Sequence, residues 1–552
     1  MGKQVISNAG EKVKVTLASK SPEIPSGKPG DHLPMLMRVE APSATKKHIP
    51  VDLVALLDVS GTMNNQVAPN TTRLDLVKKA MKFVIKHLHE DDGLAILPFN
   101  EKVLTDYSTD LFRISGQQRI AENKVDKLVA KGYTAFSSGL ELAVKILDAR
   151  TDKNRVGVTM LVTDGLESKK AAMYPISPEV LKKYPVHTIG ICAHDPNVLL
   201  SIAQQSHGTY SFVDDDELGK IADPFAILLG GLRSIVAVNV GAQIYCTYPK
   251  SRSVVKWVGF GLERYEREHD HSTTAHCSIG MLYAGEVKNF IMHVQIDPDT
   301  SAGSRSWASR FLGYQDTPGA SYIGGDGGSA VYLHTGKQAG DAGENSRMVR
   351  EQIVRANALE FISIRLTEFK NQKDTAAAKG DSEASAAQVR AGSELETKWA
   401  EFMETMDDDL KDGLDLMLDD LQKEVQEMVK RLKQGKGMAY MCSWVSSQQM
   451  QRATTMGSVD TIGTQFFTPD METMLHESRK YHISLPKKGG GGGAPSKLEK
   501  RMADWESLKS KAQQMLNQPT DTALAQTWKD LEDAINKAKV DDVNEAFNRG
   551  ER

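Results

Sequence analysis

Three side chains that carry oxygen donors are spaced two residues apart, directly after a continuous run of apolar residues. The run occupies most of residues 51–57, and the three side chains are Asp58, Ser60 and Thr62. Ligands of an open α/β sheet bind beyond the carboxyl ends of its strands, so these side chains are expected at a binding edge. Carboxylate and hydroxyl oxygens are hard ligands, which suit Mg²⁺ or Mn²⁺ better than zinc. The sequence therefore predicts a divalent-cation site after this strand.

Two further polar segments belong with the first three residues. Residues 132–134 end in Thr134 and precede a predicted helix that begins near Ser137. Residues 163–165 place Asp164 directly after a predicted strand over 156–162. Each segment falls at a strand end or a loop edge, which completes a set of five candidate residues.

The surrounding pattern predicts the elements that position these residues. Continuous apolar runs are typical of strands buried on both faces, and helical periodicity follows them. The predicted strands are 51–57, 94–99, 156–162, 186–191 and 209–213, and the predicted helices are 77–88 behind a capping box, 119–130, 137–147, 178–183, 198–205 and 215–229. Strands that alternate with helices predict an α/β domain over residues 48–230 with a doubly wound, mostly parallel sheet.

The residues on either side of this region predict an antiparallel β-sandwich. Residues 231–340 are rich in β-branched residues and lack long helical patterns. The strands expected within residues 1–47 are too few to stand alone. We therefore expect them to join the sandwich, so that the α/β domain is inserted in it.

The remaining chain is predicted to be mainly α-helical. Residues 341–486 form a helical region, with helices over 347–371, 394–434 and 437–451 and a break near Gly413; residues 375–392 are expected to be mobile. Five consecutive glycines predict a flexible linker over 487–496. A helical tail follows over 497–552.

The candidate residues resemble the metal-ion-dependent adhesion site of von Willebrand factor type A domains. The motifs are D-x-S-x-[ST], a threonine in a glycine-containing loop, and T-D-G after a strand, in that order over roughly residues 49–230. All five ligand positions are filled, with threonine at the third position where many members have serine: Asp58, Ser60, Thr62, Thr134 and Asp164.

This resemblance implies a role for each residue. Ser60 and Thr62 would bind Mg²⁺, or Mn²⁺, directly. Thr134 and Asp164 would bind it directly or through water, and Asp58 would accept hydrogen bonds from coordinated waters. An ion with few direct carboxylate ligands stays electrophilic, and its sixth position is open to an Asp or Glu of a partner protein. The resemblance thus implies a metal-dependent protein–protein interaction module without enzymatic activity.

The order of the modules resembles a plant family that pairs this domain with a C-terminal module called the von Willebrand A interacting domain. Many members carry an N-terminal RING finger and act as ubiquitin ligases. This chain has 4 cysteines, too few for a RING finger. The ligase activity therefore does not carry over, and the alternative is a substrate-recognition or regulatory role in a ubiquitin-ligase pathway, with RING-type components as partners.

The motif also allows a purely structural interpretation and an enzymatic one. Asp58 alone could form a turn, and Ser60 or Thr62 could cap a helix. A metal-dependent hydrolase is a further alternative, but the Asp-x-Asp signature that a phosphatase needs after its first strand is not formed, because Ser60 stands at the third position. Gly-x-Ser-x-Gly and P-loop signatures are absent. A second group of potential ligands, at positions 269, 271, 276 and 277, is interpreted as part of a solvated loop.

Composition narrows the class of partner and the compartment. The 552 residues include 68 Lys+Arg and 72 Asp+Glu, a net charge of −4, and 6% aromatic residues. This balance argues against nucleic acid as a partner. No signal peptide or membrane span is evident, and the few, widely spaced cysteines favour a reducing compartment. We therefore expect a cytoplasmic or nuclear protein that does not bind membranes.

Overall fold

The structure is a computed structural model. It describes residues 12–20, 32–43, 47–165, 176–192, 194–246, 254–258, 264–269, 272–295, 303–324, 331–335, 342–377, 381–457, 464–483 and 485. These residues all belong to one compact unit within residues 1–485. The predicted linker and helical tail lie outside the described residues. None of the described helices is both long enough and apolar enough to cross a membrane.

The first elements that the structure describes are an antiparallel strand pair, and an α/β region follows. The pair is β1 (Lys14–Ser19) and β2 (His32–Glu40). The α/β elements follow as β3 (Val51–Asp58), β4 (Gln66–Ala68), β5 (Thr71–Thr72), α1 (Arg73–His87), β6 (Gly93–Phe99), β7 (Phe112–Arg113), α2 (Gln118–Asp126), α3 (Ser137–Asp148), β8 (Val156–Thr163), α4 (Pro178–Leu181), β9 (Val186–Ile191), α5 (Pro196–Gln205), β10 (Tyr210–Val213) and α6 (Ala222–Arg233).

These elements form the doubly wound, mostly parallel sheet that the sequence predicts. Strands β3, β6, β8, β9 and β10 run parallel, and β7 adds an antiparallel edge beside β6. Every residue of β3 and β8 is buried, because helices cover both faces. The single helix predicted over 215–229 is wrong in detail, since a 3₁₀ helix over Asp215–Lys220 precedes α6.

The β-sandwich is also confirmed, and it includes the N-terminal strands. Its further strands are β11 (Ile235–Cys246), β12 (Val254–Val258), β13 (Arg264–His269), β14 (Ser272–Tyr283), β15 (Val287–Gln295), β16 (Gly303–Gln315), β17 (Ile323–Gly324) and β18 (Val331–Thr335). One sheet has the order β1-β2-β15-β12 and the other β13-β14-β11-β16-β17, with β18 beside β16. The α/β region is therefore inserted between β2 and β11.

One sequence interpretation of the sandwich is wrong. The sequence predicts a solvated loop at positions 269 and 276, but β13 and β14 pair as a hairpin in which His269 lies opposite Ser272. Cys277 is buried in the sandwich core. Position 271 lies outside the described residues.

A helical region follows the sandwich. Its elements are α7 (Ala342–Ala377), α8 (Asp381–Thr405), α9 (Asp408–Lys411), α10 (Asp415–Lys433), α11 (Gly437–Met450), β19 (Met456–Gly457) and α12 (Pro469–Ser478). The break near Gly413 is present, where φ is +68°. The mobile segment predicted over 375–392 is wrong for most of its length, because α8 begins at Asp381 and packs against α10.

The helical region returns to the central sheet and completes its edge. Strand β19 pairs in parallel with β10, so the seven-stranded order is β19-β10-β9-β8-β3-β6-β7. Just before β19, Arg452 donates to Glu286 at 2.8 Å and to the Met281 carbonyl at 2.7 Å, both in the sandwich. Its guanidinium also lies 4.1 Å from the centre of the Tyr283 ring. A buried arginine thus connects the sheet edge to the sandwich.

A buried histidine beside the parallel sheet makes stability depend on pH. His194 donates from Nδ1 to the Cys192 carbonyl at 2.7 Å and accepts at Nε2 from the Tyr210 hydroxyl. Gly190 leaves the space for this ring, since a Cβ there would collide with Nε2. Both nitrogens are satisfied in the neutral form, and burial lowers the pKa of His194 to about 4 although nearby carboxylates oppose the shift.

Acidification below pH 6.5 should therefore destabilise the fold through His194. The unfolded histidine, with its usual pKa of 6.5, takes up a proton that the folded one excludes down to about pH 4. This contribution is full above pH 6.5 and is lost at about 1.4 kcal/mol per pH unit as the pH falls through that window. The urea midpoint should fall less steeply with acidity in His194→Gln than in the wild type. The exposed control His476→Gln should keep the wild-type slope, and equal slopes in all three proteins would refute this assignment.

Candidate metal centre

The five candidate residues come from three segments that meet at one edge of the parallel sheet. Strands β3 and β8 are paired neighbours and end at Asp58 and Thr163. The segment before α3 lies against the turn after β3, because Gly61 donates to the Gly132 carbonyl at 2.9 Å and Lys131 donates to the Val59 carbonyl at 2.7 Å. The structure thus brings together the residues that the sequence places at strand ends and at a loop edge.

Three of these side chains form a continuous hydrogen-bonded chain. The Thr62 hydroxyl donates to Oδ1 of Asp164 at 2.7 Å. The Ser60 and Thr62 hydroxyl oxygens lie 3.0 Å apart, so Ser60 is left to donate to Thr62. Asp164 is 2% exposed whereas Thr62 is exposed, so this series of hydrogen bonds connects the solvent-exposed surface to a buried carboxylate.

Asp58 lies deeper and is held by its own neighbours. Its Oδ1 accepts from the Ser60 backbone N–H at 2.7 Å, and its Oδ2 accepts from the Thr163 hydroxyl. Burial raises the pKa of Asp58 to about 6; these hydrogen bonds oppose the shift, and the negative charge of Asp164 adds to it. The carboxylate is thus positioned by two hydrogen bonds, and none of the cationic side chains that the structure describes forms an ion pair with it.

Thr134 completes the group across from Asp58. A Cβ atom built on Gly165 would lie 2.7 Å from the Thr134 hydroxyl and 3.5 Å from Oδ2 of Asp58. The absence of a side chain at Gly165 therefore keeps the space between these two groups open. Thr134 is itself 5% exposed, while its neighbour Tyr133 is exposed at the rim.

Arg73 is a functional neighbour that the sequence analysis missed. Its Nη1 lies 2.8 Å from Oδ2 of Asp164, and its Nη2 lies 3.9 Å from Asp215. The residue opens α1, immediately after the capping box of Thr72 and Asp75. A cation at the first position of a helix is unfavourable, because it lies at the positive end of the helix dipole. An arginine directly after a predicted capping box is therefore the sequence signal that could have indicated a carboxylate partner for Arg73.

The donor set suits a hard divalent cation. It offers three hydroxyls and two carboxylates, and Arg73 forms an ion pair with one of these carboxylates, Asp164. No group of three or more His, Cys, Asp or Glu side chains within the described ranges is arranged to hold a metal. The site differs from such clusters because most of its donors are hydroxyls. Residues 166–175, directly after it, lie outside the described residues.

Removing Asp164 should destabilise the fold even without a metal. Asp164→Ala leaves the Arg73 guanidinium, with a side chain 14% exposed, without its close partner, which costs about 3 kcal/mol, the low end of the range for breaking a buried ion pair. Adding Arg73→Met to that variant should recover part of this loss. Thermal melts of the two single variants and the double variant measure the coupling. Additive losses would show that the pair contributes no stability.

Comparison with known proteins agrees with this architecture. Residues 51–212 match the profile of the von Willebrand factor type A domain. A solved structure, the von Willebrand factor type A protein from Catenulispora acidiphila, superposes over 80% of this chain and 97% of that chain with a TM-score of 0.53 and 17% identity. At this identity the likeness concerns the fold.

Two curated relatives match parts of the chain. The E3 ubiquitin-protein ligase WAVH1 of Arabidopsis thaliana is 28% identical over 195 residues, 32% of this chain and 26% of that protein. The uncharacterized protein YfbK of Escherichia coli is 26% identical over 246 residues, 43% of this chain and 40% of that protein. The chain thus matches less than half the length of either relative. The profile match and the fold together identify residues 51–212 as a von Willebrand factor type A domain.

Proposed function

We propose that the von Willebrand factor type A domain of this chain binds Mg²⁺ and presents it to an acidic residue of a partner protein. Mn²⁺ is the expected substitute. The observation that carries the proposal is the hydrogen-bonded cluster of Ser60, Thr62 and Asp164, which joins a buried carboxylate to an exposed hydroxyl. Domains of this type commonly mediate protein–protein interaction, which supports a binding role.

Each side chain has a role that follows from its position. Ser60 and Thr62 would supply neutral oxygen donors at the solvent side, and the buried Asp164 would supply a negatively charged oxygen. Asp58 would orient the turn through the Ser60 backbone and accept hydrogen bonds from metal-bound waters. When bound, the ion supplies an electrophilic position for an incoming carboxylate.

We propose no catalytic step at this site. The Ser60 hydroxyl is hydrogen-bonded to another hydroxyl rather than to a histidine base, so nothing in its described surroundings activates it as a nucleophile.

The second candidate function, partner recognition in a ubiquitin-ligase pathway, is favoured by the 28% identity to WAVH1. A complex with a RING-type ligase that forms in a pull-down with both purified proteins would support it.

Calorimetric titration of the full chain with Mg²⁺ tests the metal site. The wild type should show a saturable heat that the Ser60→Ala/Thr62→Ala double variant loses, because two neutral donors are removed at once. The matched control is Ser115→Ala/Thr151→Ala, which removes two exposed hydroxyls elsewhere in the same domain. Equal titrations in all three proteins would contradict the proposal.

The partner half of the proposal has its own test. Immobilised peptides that contain Asp or Glu, beside Asn and Gln versions of each peptide, should capture the wild type in Mg²⁺ and release it in EDTA. The double variant should not be captured. Capture that persists in EDTA, or that is equally strong with the Asn and Gln versions of the peptides, would refute a metal-bridged contact.

A further inference from the structure

Arg73 contacts the same carboxylate that the proposed metal would use, but on its other oxygen. Oδ1 of Asp164 accepts from the Thr62 hydroxyl, whereas Oδ2 contacts Nη1 of Arg73 at 2.8 Å. The guanidinium and the hydroxyl donors therefore lie on opposite sides of one carboxylate. A cation beside Thr62 and the guanidinium could both contact Asp164 at the same time.

The position of Arg73 is fixed by its burial. Its side chain is 14% exposed, and its Nε is buried with no hydrogen-bond partner within the described residues. The residue is anchored at the start of α1, whose Thr72–Asp75 capping box fixes the backbone there. The contact with Asp164 is therefore made by a largely buried side chain at a capped helix start.

Charge around the site has a simple arrangement. Asp58 and Asp164 are both buried, and Arg73 contacts Asp164. Asp215 is further from Arg73, at 3.9 Å, and its side chain is 32% exposed, so solvent screens it more strongly. The two buried carboxylates with Arg73 leave one negative charge, and a bound dication would turn it into one positive charge.

We propose that Arg73 is a built-in counter-cation that shares Asp164 with the bound metal, weakening metal binding and leaving the loaded site with a net positive charge. This inference rests on the proposed metal site. Two cations that contact one carboxylate repel each other, so the charge of Arg73 opposes the metal. The same charge favours an incoming carboxylate, because the loaded site becomes neutral when an Asp or Glu of the partner binds.

Mg²⁺ titration of three full-length proteins tests the first half of this proposal. Arg73→Gln should bind Mg²⁺ about tenfold more tightly than the wild type, the effect of removing a unit charge a few ångströms away in a partly screened site. The control is Lys79→Gln, which removes the same charge from an exposed position on the same helix and should change the affinity less than twofold.

The outcomes separate this inference from the proposed function. Saturable binding by the wild type together with tighter binding by Arg73→Gln supports it. Wild-type binding with an equal or weaker affinity in Arg73→Gln would overturn the counter-cation while the metal site survives. Absence of binding in both proteins would overturn the metal site and the inference with it.

A charge-conserving variant covers the case in which Arg73→Gln does not fold. Arg73→Lys keeps the positive charge but loses the fork of the guanidinium. If charge is what opposes the metal, its Mg²⁺ affinity should stay within about threefold of the wild type. A tenfold change in Arg73→Lys would mean that geometry decides, and would overturn the proposal.

Acetate tests the second half of the proposal as a minimal carboxylate. With both proteins saturated with Mn²⁺, the relaxation of acetate methyl protons reports binding near the ion. The wild type should enhance the relaxation of the methyl protons at a several-fold lower acetate concentration than Arg73→Gln does. The reverse order, or equal enhancement, would refute the role of Arg73 in attracting a carboxylate.

Discussion

Two buried carboxylates at the end of the central strands are the constraint on which the site depends. Asp58 is 0% exposed and Asp164 is 2% exposed, so neither is stabilised by bulk water. Buried charges are tolerated when hydrogen bonds or counter-charges replace hydration. Asp58 receives hydrogen bonds from Ser60 and Thr163, and Asp164 receives one hydroxyl and Arg73. Full compensation would require a further positive charge, which is the basis of the proposed cation.

The rest of the fold holds this edge in place. The paired β3 and β8 set the spacing of the two carboxylates, and both strands are buried along their whole length. The far edge of the sheet is closed by β19 from the helical region, where Arg452 contacts Glu286 of the sandwich. The sheet of the inserted domain thus includes a strand from the helical region, which in turn contacts the sandwich. Experiments on the site therefore need the full chain rather than an excised fragment.

The sequence predicted the features that repeat along the chain and missed those made by single distant contacts. Buried parallel strands appear as continuous apolar runs, so the sheet could be predicted, together with the strand-end or loop-edge positions of the five candidate residues. Strand β19 has two residues and pairs through its backbone, which leaves no side-chain pattern. The Arg73–Asp164 pair joins residues 91 positions apart, and periodicity carries no information on it. Helix α8 did leave a signal, since Ala387, Ala391, Leu395 and Trp399 are buried at helical spacing.

The central claim is that a hard divalent cation completes the charge balance of the cluster between Ser60 and Asp164. The most direct measurement is a crystal structure of the full chain grown with Mn²⁺, with anomalous diffraction recorded at the manganese edge. The account predicts an anomalous peak in contact with the Ser60 and Thr62 hydroxyls, with Arg73 still on the far oxygen of Asp164. A well-ordered site with no anomalous peak at saturating Mn²⁺, or a peak bound elsewhere on the chain, would contradict it.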